Sequence, residues 1–232
     1  MKITVIIPVY NEENYIKKIL KKIKELNYDF QIIVVNDGST DQTREIILNN
    51  PTLYHDFVDL KKNSGKGSAI QEGIKKIKGD IVIIQDADLE YDPADYCKLI
   101  QPFKDENIMC VYGSRVLPGA KRIRPKSLSF AFRTLANFFL TFLSNLVNDQ
   151  KLTDAHTCYK VFRSNLIKDI QLVEKGFNFC PEITAKVSQK GVKIFEVPIS
   201  YKGRTHKEGK KIKFIDGFKA IKTIIYYNLF KK

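Results

Sequence analysis

The 232-residue sequence has no tryptophan, only two methionines and only four cysteines. The cysteines, at positions 97, 110, 158 and 180, form no C-x-x-C pair and lack the spacing of metal ligands. We therefore expect free, reduced thiols in a cytoplasmic protein. No signal peptide is predicted either, because the first residues already fit an apolar strand. No uninterrupted apolar run approaches the ~18–20 residues that a membrane-spanning helix requires.

Two glycine-rich nucleotide-binding motifs are absent as well. No G-x-x-x-x-G-K-S/T loop occurs, and the segment Gly65-Lys66-Gly67-Ser68 resembles it only loosely because the upstream glycine is missing. No G-x-G-x-x-G follows the first strand. Any nucleotide must therefore be bound through side chains and a metal ion rather than through a dinucleotide fingerprint.

Acidic residues are outnumbered by basic ones, 26 to 39, so the formal net charge is +13 at pH 7. Such an excess favours an anionic partner: nucleic acid, an acidic membrane surface or a phosphorylated substrate. Much of the excess lies in lysines on predicted helix faces, for which solvation is a sufficient explanation. With 44% hydrophobic residues the chain can bury one sizeable core, and one α/β domain with appended elements is expected.

Apolar, strand-like runs alternate with helical periodicity through the first third of the chain. Strands are predicted over residues 2–9 and 30–35 and from residue 81, and helices over 15–26, 42–48 and 68–77. Residues 53–60 are ambiguous and fit a short strand. The alternation predicts an α/β fold, a mostly parallel sheet with helices on both faces. Ligands of such sheets bind beyond the carboxyl ends of the strands.

The predicted strand that begins at residue 81 stops on carboxylates. Asp86 and Asp88 are two residues apart, so an extended backbone points both to the same side, and Glu90 follows if that geometry continues. Massed carboxylates repel one another unless a cation lies among them, and Mg²⁺ or Mn²⁺ holding a phosphate-bearing ligand would fit. The alternative is an acidic turn with a capping aspartate. Polar residues at the ends of other strands, Glu12 and Asp37, favour the binding site.

Four segments that occur in order along the chain are residues 7–13 (IPVYNEE), 35–41 (VNDGSTD), 63–67 (NSGKG) and 86–88 (DAD). Together they resemble the inverting family 2 glycosyltransferases with a GT-A fold. Within that family they are most similar to the polyprenol-phosphate enzymes of the dolichol-phosphate mannose or glucose synthase type. The resemblance covers about residues 1–210, which we expect to form the catalytic domain, with 211–232 as an appended amphipathic, basic helix.

This resemblance assigns residues to a nucleotide-sugar donor. Residues that would contact the donor are Pro8, Tyr10, Glu12, Val35, Asp37, Asp86, Ala87, Asp88, Arg115, Arg204 and Lys210. Residues that would organise Mg²⁺ or Mn²⁺ and the diphosphate are Asp86, Asp88 and Glu90. The chain departs from the family at Glu90, where many mannose-type members have glutamine, and at Asn36, where others have aspartate. A glutamate still offers an oxygen ligand, so metal binding is expected and the identity of the sugar stays open.

The resemblance also implies the catalytic residues, Asp88 at the metal and Asp154 facing the acceptor. A lipid phosphate is already largely ionised near neutral pH, so Asp154 would either orient the acceptor or deprotonate it. His156 is the alternative titrating group. The stretch Thr157–Lys160 (TCYK) differs from the Gly-Phe-Arg form of some members, which leaves the details of acceptor binding open.

The basic segment 201–211 follows a predicted strand over residues 192–200. By resemblance it is a mobile loop in which Arg204 and Lys210 close over the diphosphate. Cations there would stabilise the negative charge that develops as the glycosyl bond breaks. The alternative is a basic surface loop for nucleic acid, but no recognised nucleic-acid motif accompanies it, so nucleic acid is not the expected partner.

The stretch 127–148 is unusually apolar for a helix of a soluble protein and follows a basic cluster at 121–126. Its polar residues recur at every fourth position and form one narrow stripe: Ser129, Arg133, Asn137, Thr141 and Asn145. Residues 214–230 again combine an apolar helical face with lysines. Such helices favour a peripheral position on an anionic membrane surface. A core helix, or an interface between copies of the chain in a homo-oligomer, is the alternative, and both can hold on different faces.

The expected activity is the transfer of one hexose, mannose or glucose, from a nucleoside-diphosphate sugar to polyprenyl phosphate. The reaction would invert the anomeric configuration, depend on a metal ion and take place at the cytoplasmic face of a membrane. Two alternatives stay open. One is the same chemistry on a glycan or other non-lipid acceptor, and the other is a non-catalytic basic module that binds nucleic acid or an anionic membrane.

Overall fold

The computed structural model describes residues 1–123, 128–204 and 214–229, with only the main chain at 128, 129, 214, 215 and 229. The predicted domain boundary after residue 210 lies outside these ranges. Strands in the described chain are β1 (Ile3–Val9), β2 (Phe30–Asn36), β3 (Asp56–Asp59), β4 (Ile81–Ile84), β5 (Cys110–Ser114), β6 (Lys121–Ile123), β7 (Lys160–Arg163), β8 (Phe195–Pro198) and β9 (Ser200–Lys202). Helices are α1 (Ile16–Lys24), α2 (Thr43–Leu48), α3 (Lys66–Ile74), α4 (Tyr96–Ile100), α5 (Leu128–Asn148), α6 (Ser164–Asp169), α7 (Phe179–Gln189) and α8 (Phe214–Leu229).

Seven of the strands form one sheet in the order β3-β2-β1-β4-β7-β5-β8, and β6 pairs with β9. Strands β3, β2, β1 and β4 are parallel, β7 is antiparallel to both of its neighbours, and β8 is parallel to β5. The predicted mostly parallel sheet is confirmed. Strand β7 escaped prediction because its four residues begin and end with charged side chains, Lys160 and Arg163, and present no apolar run.

Helices cover both faces of the sheet, as predicted. Alternate residues of β1 point to opposite faces, so Val5 belongs to the same apolar cluster as Ile16 of α1, whereas Ile6 belongs to the cluster that contains Ile70 of α3. Every residue of β1, β2 and β4 is buried, as expected for strands covered on both sides. Burying one such aliphatic side chain contributes about 1.5–3 kcal/mol. The centre of the sheet is therefore a rigid support for the polar groups at its edge.

The register of the sheet brings several strand ends to one level. Strands β1 and β2 end together at the pair Val9–Asn36, whereas β4 ends opposite Ile6. The next residue, Gln85, still donates its N–H to the carbonyl of Ile6 at 3.0 Å. The acidic residues that follow β4 therefore reach the edge at which β1 and β2 end. This is the edge at which the sequence predicts ligand binding.

Several predicted elements have different bounds in the structure, among them α3 and the last predicted strand. Helix α3 begins at Lys66, two residues before the predicted start, and ends at Ile74, three residues before the predicted end. The predicted strand over 192–200 is divided between β8 in the main sheet and β9 in the small one. Ile199 lies between them, donating its N–H to the carbonyl of Ser114 at 3.0 Å and accepting from the N–H of Lys121 at 3.2 Å. The chain thus crosses from one sheet to the other at this residue.

Helices α5 and α8 pack against each other beside the sheet. Leu140 of α5 and Ile224 of α8 belong to a small apolar cluster outside the main core. Helix α8 also packs on α7, where the Gln189 Nε2 donates to the carbonyl of Tyr227 at 2.6 Å. By length and composition alone, Phe130–Asn148 is long and apolar enough to cross a membrane, with 22% of it buried. The search for an uninterrupted apolar run missed this property because the polar stripe interrupts the run.

Candidate active site

Asp37, at the end of β2, holds the glycine-rich turn over residues 63–67. Its two carboxylate oxygens accept from the N–H groups of Ser64 and Gly65, both at 2.8 Å. Burial raises the pKa of Asp37 above its ordinary value, although these two hydrogen bonds oppose the shift. Gly65 has φ +99° and a Cβ there would lie 2.5 Å from the carbonyl oxygen of Lys175, so only glycine fits. Asp37 therefore fixes the turn from which α3 starts.

Lys66, the first residue of α3, is a site residue that the sequence analysis missed. Its Nζ forms an ion pair with Asp86 and donates to the Sγ of Cys158 at 3.2 Å, and its side chain is 11% exposed. Burial by itself lowers the pKa of Lys66, but the charge of Asp86 outweighs it and holds the pKa well above its usual range. The signal was the lysine inside the glycine-rich turn. The sequence could not show that this turn reaches a carboxylate 20 positions away.

Arg204 joins acidic residues of two different segments, Glu12 after β1 and Asp88 and Glu90 after β4. Its Nη1 and Nη2 donate to the two oxygens of Glu12 at 3.0 and 3.1 Å, and Nη2 also donates to Asp88 Oδ2 at 2.7 Å. Its main-chain N–H donates to Glu90 Oε1 at 2.8 Å. The side chain is only 10% exposed. The structure thus brings Glu12 and Asp88 together at the carboxyl edge of the sheet, as the strand-end pattern predicts.

The acidic cluster, which consists of Glu12, Asp86, Asp88 and Glu90, holds more negative charge than its two cations, Lys66 and Arg204, neutralise. Burial, together with the charges of Asp86 and Glu90, raises the pKa of Asp88 to about 7, even though Arg204 opposes the shift. Burial alone would lower the pKa of Arg204, but Glu12, Asp88 and Glu90 outweigh it and raise that pKa above its ordinary value. A cluster with this excess of buried negative charge is electrostatically suited to a further cation.

The chemistry of the cluster fits Mg²⁺ or Mn²⁺, but three ligands do not converge. Among the residues that the structure describes, no group of three His, Cys, Asp or Glu side chains is placed to hold a metal ion. Asp86 is paired with Lys66, and Glu90 accepts from the Arg204 N–H and the Tyr201 hydroxyl. Mg²⁺ is commonly held by one or two carboxylates together with substrate phosphates, and Asp88 suits that arrangement. Asp86 and Glu90 remain predicted ligands.

Tyr201, on β9, connects the acidic cluster to a second charged group. Its hydroxyl donates to Glu90 Oε2 at 3.3 Å, and the guanidinium of Arg115 lies 5.1 Å from the centroid of its ring. The sequence analysis did not single out Tyr201 because neither contact has a local sequence signature. Through Arg115, which is predicted to contact the donor and is paired with Asp154, the side chain nevertheless connects the acidic residues to the residue predicted to face the acceptor.

Asp154 is fully buried and bound in a bidentate ion pair with Arg115. Arg115 Nε and Nη2 donate to its two oxygens at 2.6 and 2.7 Å, the Arg115 N–H adds a bond at 3.1 Å, and Asn137 Nδ2 donates at 3.0 Å. Burial raises the pKa of Asp154, but Arg115 and these hydrogen bonds outweigh it and lower the pKa to about 2. A carboxylate with this pKa and four donors is a weak proton acceptor.

His156 lies in the same segment as Asp154. Burial and the charge of Lys160 lower the pKa of His156 to about 4, so its imidazole is neutral at pH 7. Its Nε2 is buried and has no hydrogen-bond partner in the described part of the chain. Lys160 is itself fully buried, with Nζ donating to the carbonyl of Ala155 at 2.8 Å and lying 3.5 Å from the centre of the Tyr112 ring.

Three residues of the polar stripe of α5, Asn137, Thr141 and Asn145, face the protein, and an apolar surface faces outwards. Asn137 donates to Asp154, Thr141 Oγ1 accepts from the N–H of Ala155 at 3.2 Å, and Asn145 exchanges two hydrogen bonds with the main chain of Leu152. The outward residues are 51–70% exposed: Phe132, Leu135, Phe138, Phe139, Phe142 and Leu146. The sequence predicts the stripe but not its direction.

The remaining predicted donor residues lie near the same edge or outside the described chain. Pro8 and Val35 are paired in the register of β1 and β2 and are buried, and Ala87 is 3% exposed. Tyr10 is partly buried just beyond β1. Lys210 lies outside the described residues, so its predicted contact with the diphosphate stays a prediction.

The sequence profile of glycosyl transferase family 2 matches residues 4–171, more than two thirds of the chain. The chain belongs to this family. It is a glycosyltransferase, and the resemblance predicted from its four motifs is confirmed.

Three named relatives match at least 90% of the chain. A UDP-N-acetylglucosamine–dolichyl-phosphate N-acetylglucosaminyltransferase of Methanococcus voltae is 30% identical, over 98% of this chain and 94% of the relative. A dolichyl-phosphate beta-glucosyltransferase of Trichomonas vaginalis is 26% identical, over 99% of this chain and 74% of the relative. An undecaprenyl-phosphate 4-deoxy-4-formamido-L-arabinose transferase of Edwardsiella ictaluri is 27% identical, over 90% and 62%.

A solved structure confirms the predicted fold of this glycosyltransferase. Glucosyl-3-phosphoglycerate synthase from Mycobacterium tuberculosis, in complex with Mn²⁺ and UDP-glucose, superposes with a TM-score of 0.75 over 98% of this chain and 79% of that one. The two sequences are 18% identical, so the likeness is one of fold. The chain has the mostly parallel α/β sheet of the GT-A glycosyltransferases.

Proposed function

We propose that this glycosyltransferase moves one hexose, mannose or glucose, from a nucleoside-diphosphate sugar to polyprenyl phosphate, with inversion and with a divalent metal ion. The observation that carries the proposal is the orientation of α5. One side of this helix hydrogen-bonds to Asp154 and its neighbours, and the opposite side exposes Phe138, Phe142 and Leu146. An acceptor with a charged head and an apolar chain suits a site built directly behind an apolar surface.

The names of the relatives support the choice of acceptor. Two of them are dolichyl-phosphate transferases and one is an undecaprenyl-phosphate transferase. Their names specify different sugars, so the test below uses a panel of donors. The solved relative that binds Mn²⁺ and UDP-glucose supports a metal-assisted nucleotide-sugar donor. The apolar faces of α5 and α8 and the net charge of +13 support a peripheral position on an anionic membrane.

The donor would occupy the edge formed by Glu12, Asp37 and Asp88. The carboxylate of Glu12 is suited to accept from a ribose hydroxyl or a base N–H, while Asp37 keeps the glycine-rich turn in place. Asp88, with Asp86 and Glu90 as further predicted ligands, would hold the metal ion. When bound, the metal would neutralise charge on the diphosphate and make it a better leaving group. Arg204 and Lys210 would supply cations to the same phosphates.

The acceptor would approach from the side of Arg115 and Asp154. A phosphate monoester is already an anion near pH 7, so its attack on the anomeric carbon needs little help from a base. The low pKa of Asp154 suits a positioning role, in which its carboxylate fixes Arg115 and the segment that follows it. Attack from the face opposite the leaving diphosphate inverts the anomeric configuration.

The test is transfer of radiolabelled sugar from a panel of nucleotide sugars into polyprenyl phosphate in liposomes, with Mg²⁺, with Mn²⁺ and with EDTA. We expect labelled lipid from one donor, abolished by the chelator and by Asp88→Asn. Asp149→Asn is the matched control, because Asp149 is a fully exposed aspartate that pairs with Lys193 at the surface. Folded protein that binds nucleotide but labels no lipid from any donor would refute the lipid acceptor and favour a glycan.

A further inference from the structure

Arg204 contacts two groups that the donor and its metal would need at the same time. Its guanidinium covers both oxygens of Glu12, which is predicted to face the nucleoside. The same guanidinium lies 2.7 Å from Asp88 Oδ2, on the carboxylate best suited to the metal. A metal ion on this oxygen and the guanidinium would place two cations in contact, so they exclude each other.

The main chain beneath Arg204 is held independently of its side chain. The Arg204 N–H donates to the Glu90 carboxylate at 2.8 Å, and the Lys202 N–H donates to the Glu90 carbonyl at 2.9 Å. The guanidinium can therefore leave Glu12 and Asp88 by rotation about its side-chain bonds, without unpairing β9. Buried at this position, it needs an anionic partner wherever it goes, and a diphosphate offers one with bidentate geometry.

We propose that Arg204 couples the binding of the metal to the binding of the nucleoside diphosphate. While it covers Glu12 and Asp88, it competes with the metal for one carboxylate and with the nucleoside for the other. A diphosphate draws the guanidinium away and uncovers both groups in one movement. The metal alone therefore binds weakly and the nucleotide promotes its binding. This inference rests on the donor and metal site of the proposed function.

The test compares Mn²⁺ binding to the purified full chain, by electron paramagnetic resonance, without nucleotide and with UDP or GDP. In Arg204→Gln, we expect Mn²⁺ alone to bind at least about tenfold more tightly than in the unsubstituted protein, and the nucleoside diphosphate to bind more weakly. The enhancement of Mn²⁺ binding by nucleotide then falls by a similar factor. Direct contact of the diphosphate with Mn²⁺ contributes in both proteins, so the difference between them isolates Arg204.

Lys202→Gln is the matched control. Lys202 lies two residues before Arg204 and is exposed, so this variant also removes one positive charge, but from the surface. It should leave both affinities within about twofold, because exposed charges are screened. Arg204→Lys keeps the charge but can form fewer hydrogen bonds. Its Mn²⁺ affinity should lie between those of the unsubstituted protein and Arg204→Gln. Thermal unfolding with and without Mn²⁺ gives a second readout: the metal should raise the Tm of Arg204→Gln more than that of the unsubstituted protein.

The outcomes separate the inference from the function beneath it. If Mn²⁺ and the nucleotides bind but folded Arg204→Gln and Arg204→Lys hold Mn²⁺ no more tightly than the unsubstituted protein, the coupling is overturned and the donor site stands. A gain of the same size in Lys202→Gln would also overturn it, because a general charge effect would then explain the result. If no variant binds Mn²⁺ or a nucleoside diphosphate, the donor site itself is refuted.

Discussion

Substitution of Asp154 by asparagine tests how the centre of the acceptor side is held together. Asp154 is inaccessible to solvent and Arg115 is 13% exposed, so the variant leaves a buried guanidinium without its counter-charge. Removing one partner of a buried pair costs about 3–5 kcal/mol. For a chain of this length, each kcal/mol corresponds to about 2–4 °C in Tm. We expect Asp154→Asn to lose about 3–5 kcal/mol in urea unfolding at pH 7.

The pH dependence of stability gives an independent measure of the same pair. The pKa of Asp154 falls from its ordinary 3.8 to about 2 in the folded protein. A lowered pKa contributes stability that is fully present above about pH 4 and is lost as the pH falls towards 2. The difference of roughly two pKa units corresponds to about 2–3 kcal/mol. Asp154→Asn should lack this part of the acid-induced loss, which unfolding curves between pH 5 and pH 2 measure.

The two magnitudes differ because protonation and substitution leave different states. A protonated Asp154 keeps its shape and its hydrogen bond from Asn137, whereas the variant replaces one oxygen by an NH₂ group that faces Arg115. Adding Arg115→Met to Asp154→Asn removes the unpaired charge and should recover part of the loss. Asp149→Asn is again the control and should be indistinguishable from the unsubstituted protein. A loss below about 1 kcal/mol for Asp154→Asn, or no recovery in the double variant, would refute this reasoning.

Three further predictions concern the other parts of the site. Lys66→Met leaves the largely buried Asp86 without its ion pair and should lower the free energy of unfolding in urea by about 3 kcal/mol. If the loss is caused by the missing charge, Lys66→Arg should recover part of it. Phe138→Ser and Leu146→Ser should each change the free energy of unfolding by less than about 0.5 kcal/mol, since both side chains are about 70% exposed. In the double variant, co-sedimentation with anionic liposomes should fall at least tenfold. Tyr201→Phe removes the hydroxyl that reaches Glu90 at 3.3 Å and keeps the ring on Arg115, so it should cost under about 1 kcal/mol of unfolding free energy, whereas Tyr201→Leu should cost more.

Local pattern was sufficient for the parts of the fold in which one segment determines its own environment. Strands β1, β2 and β4 were predicted because continuous apolar runs must be buried on both faces. The acidic strand ends were predicted because parallel strands end at one edge. Strand β7 was not, since its first residue, Lys160, is a charged side chain buried completely against Ala155 and Tyr112.

The site could be predicted only in part, because several of its ion pairs join residues that lie far apart in the sequence. The ion pair between Lys66 and Asp86 depends on how the glycine-rich turn lies over the end of β4, and no periodicity records that geometry. The same holds for Arg204, which reaches Glu12 across 192 positions of the chain. The family resemblance assigned phosphate-binding roles to Arg115 and Arg204. The structure adds that both arginines are paired with carboxylates of the protein itself.

The inverted amphipathicity of α5 connects these observations. A helix on the surface of a soluble protein normally turns its polar side to water. Here Asn137, Thr141 and Asn145 form hydrogen bonds with residues 152–155, so six large apolar side chains face outwards. Reversing the helix would bury those side chains but would remove the Asn137 bond to Asp154 and the bonds that α5 makes to the main chain of Leu152 and to the N–H of Ala155. The polar contacts therefore fix the orientation of α5, and the exposed apolar surface is a consequence of building the Asp154 segment rather than an independent feature. This surface lies directly behind Asp154, on the proposed acceptor side of the site, which is where a lipid acceptor would place its chain.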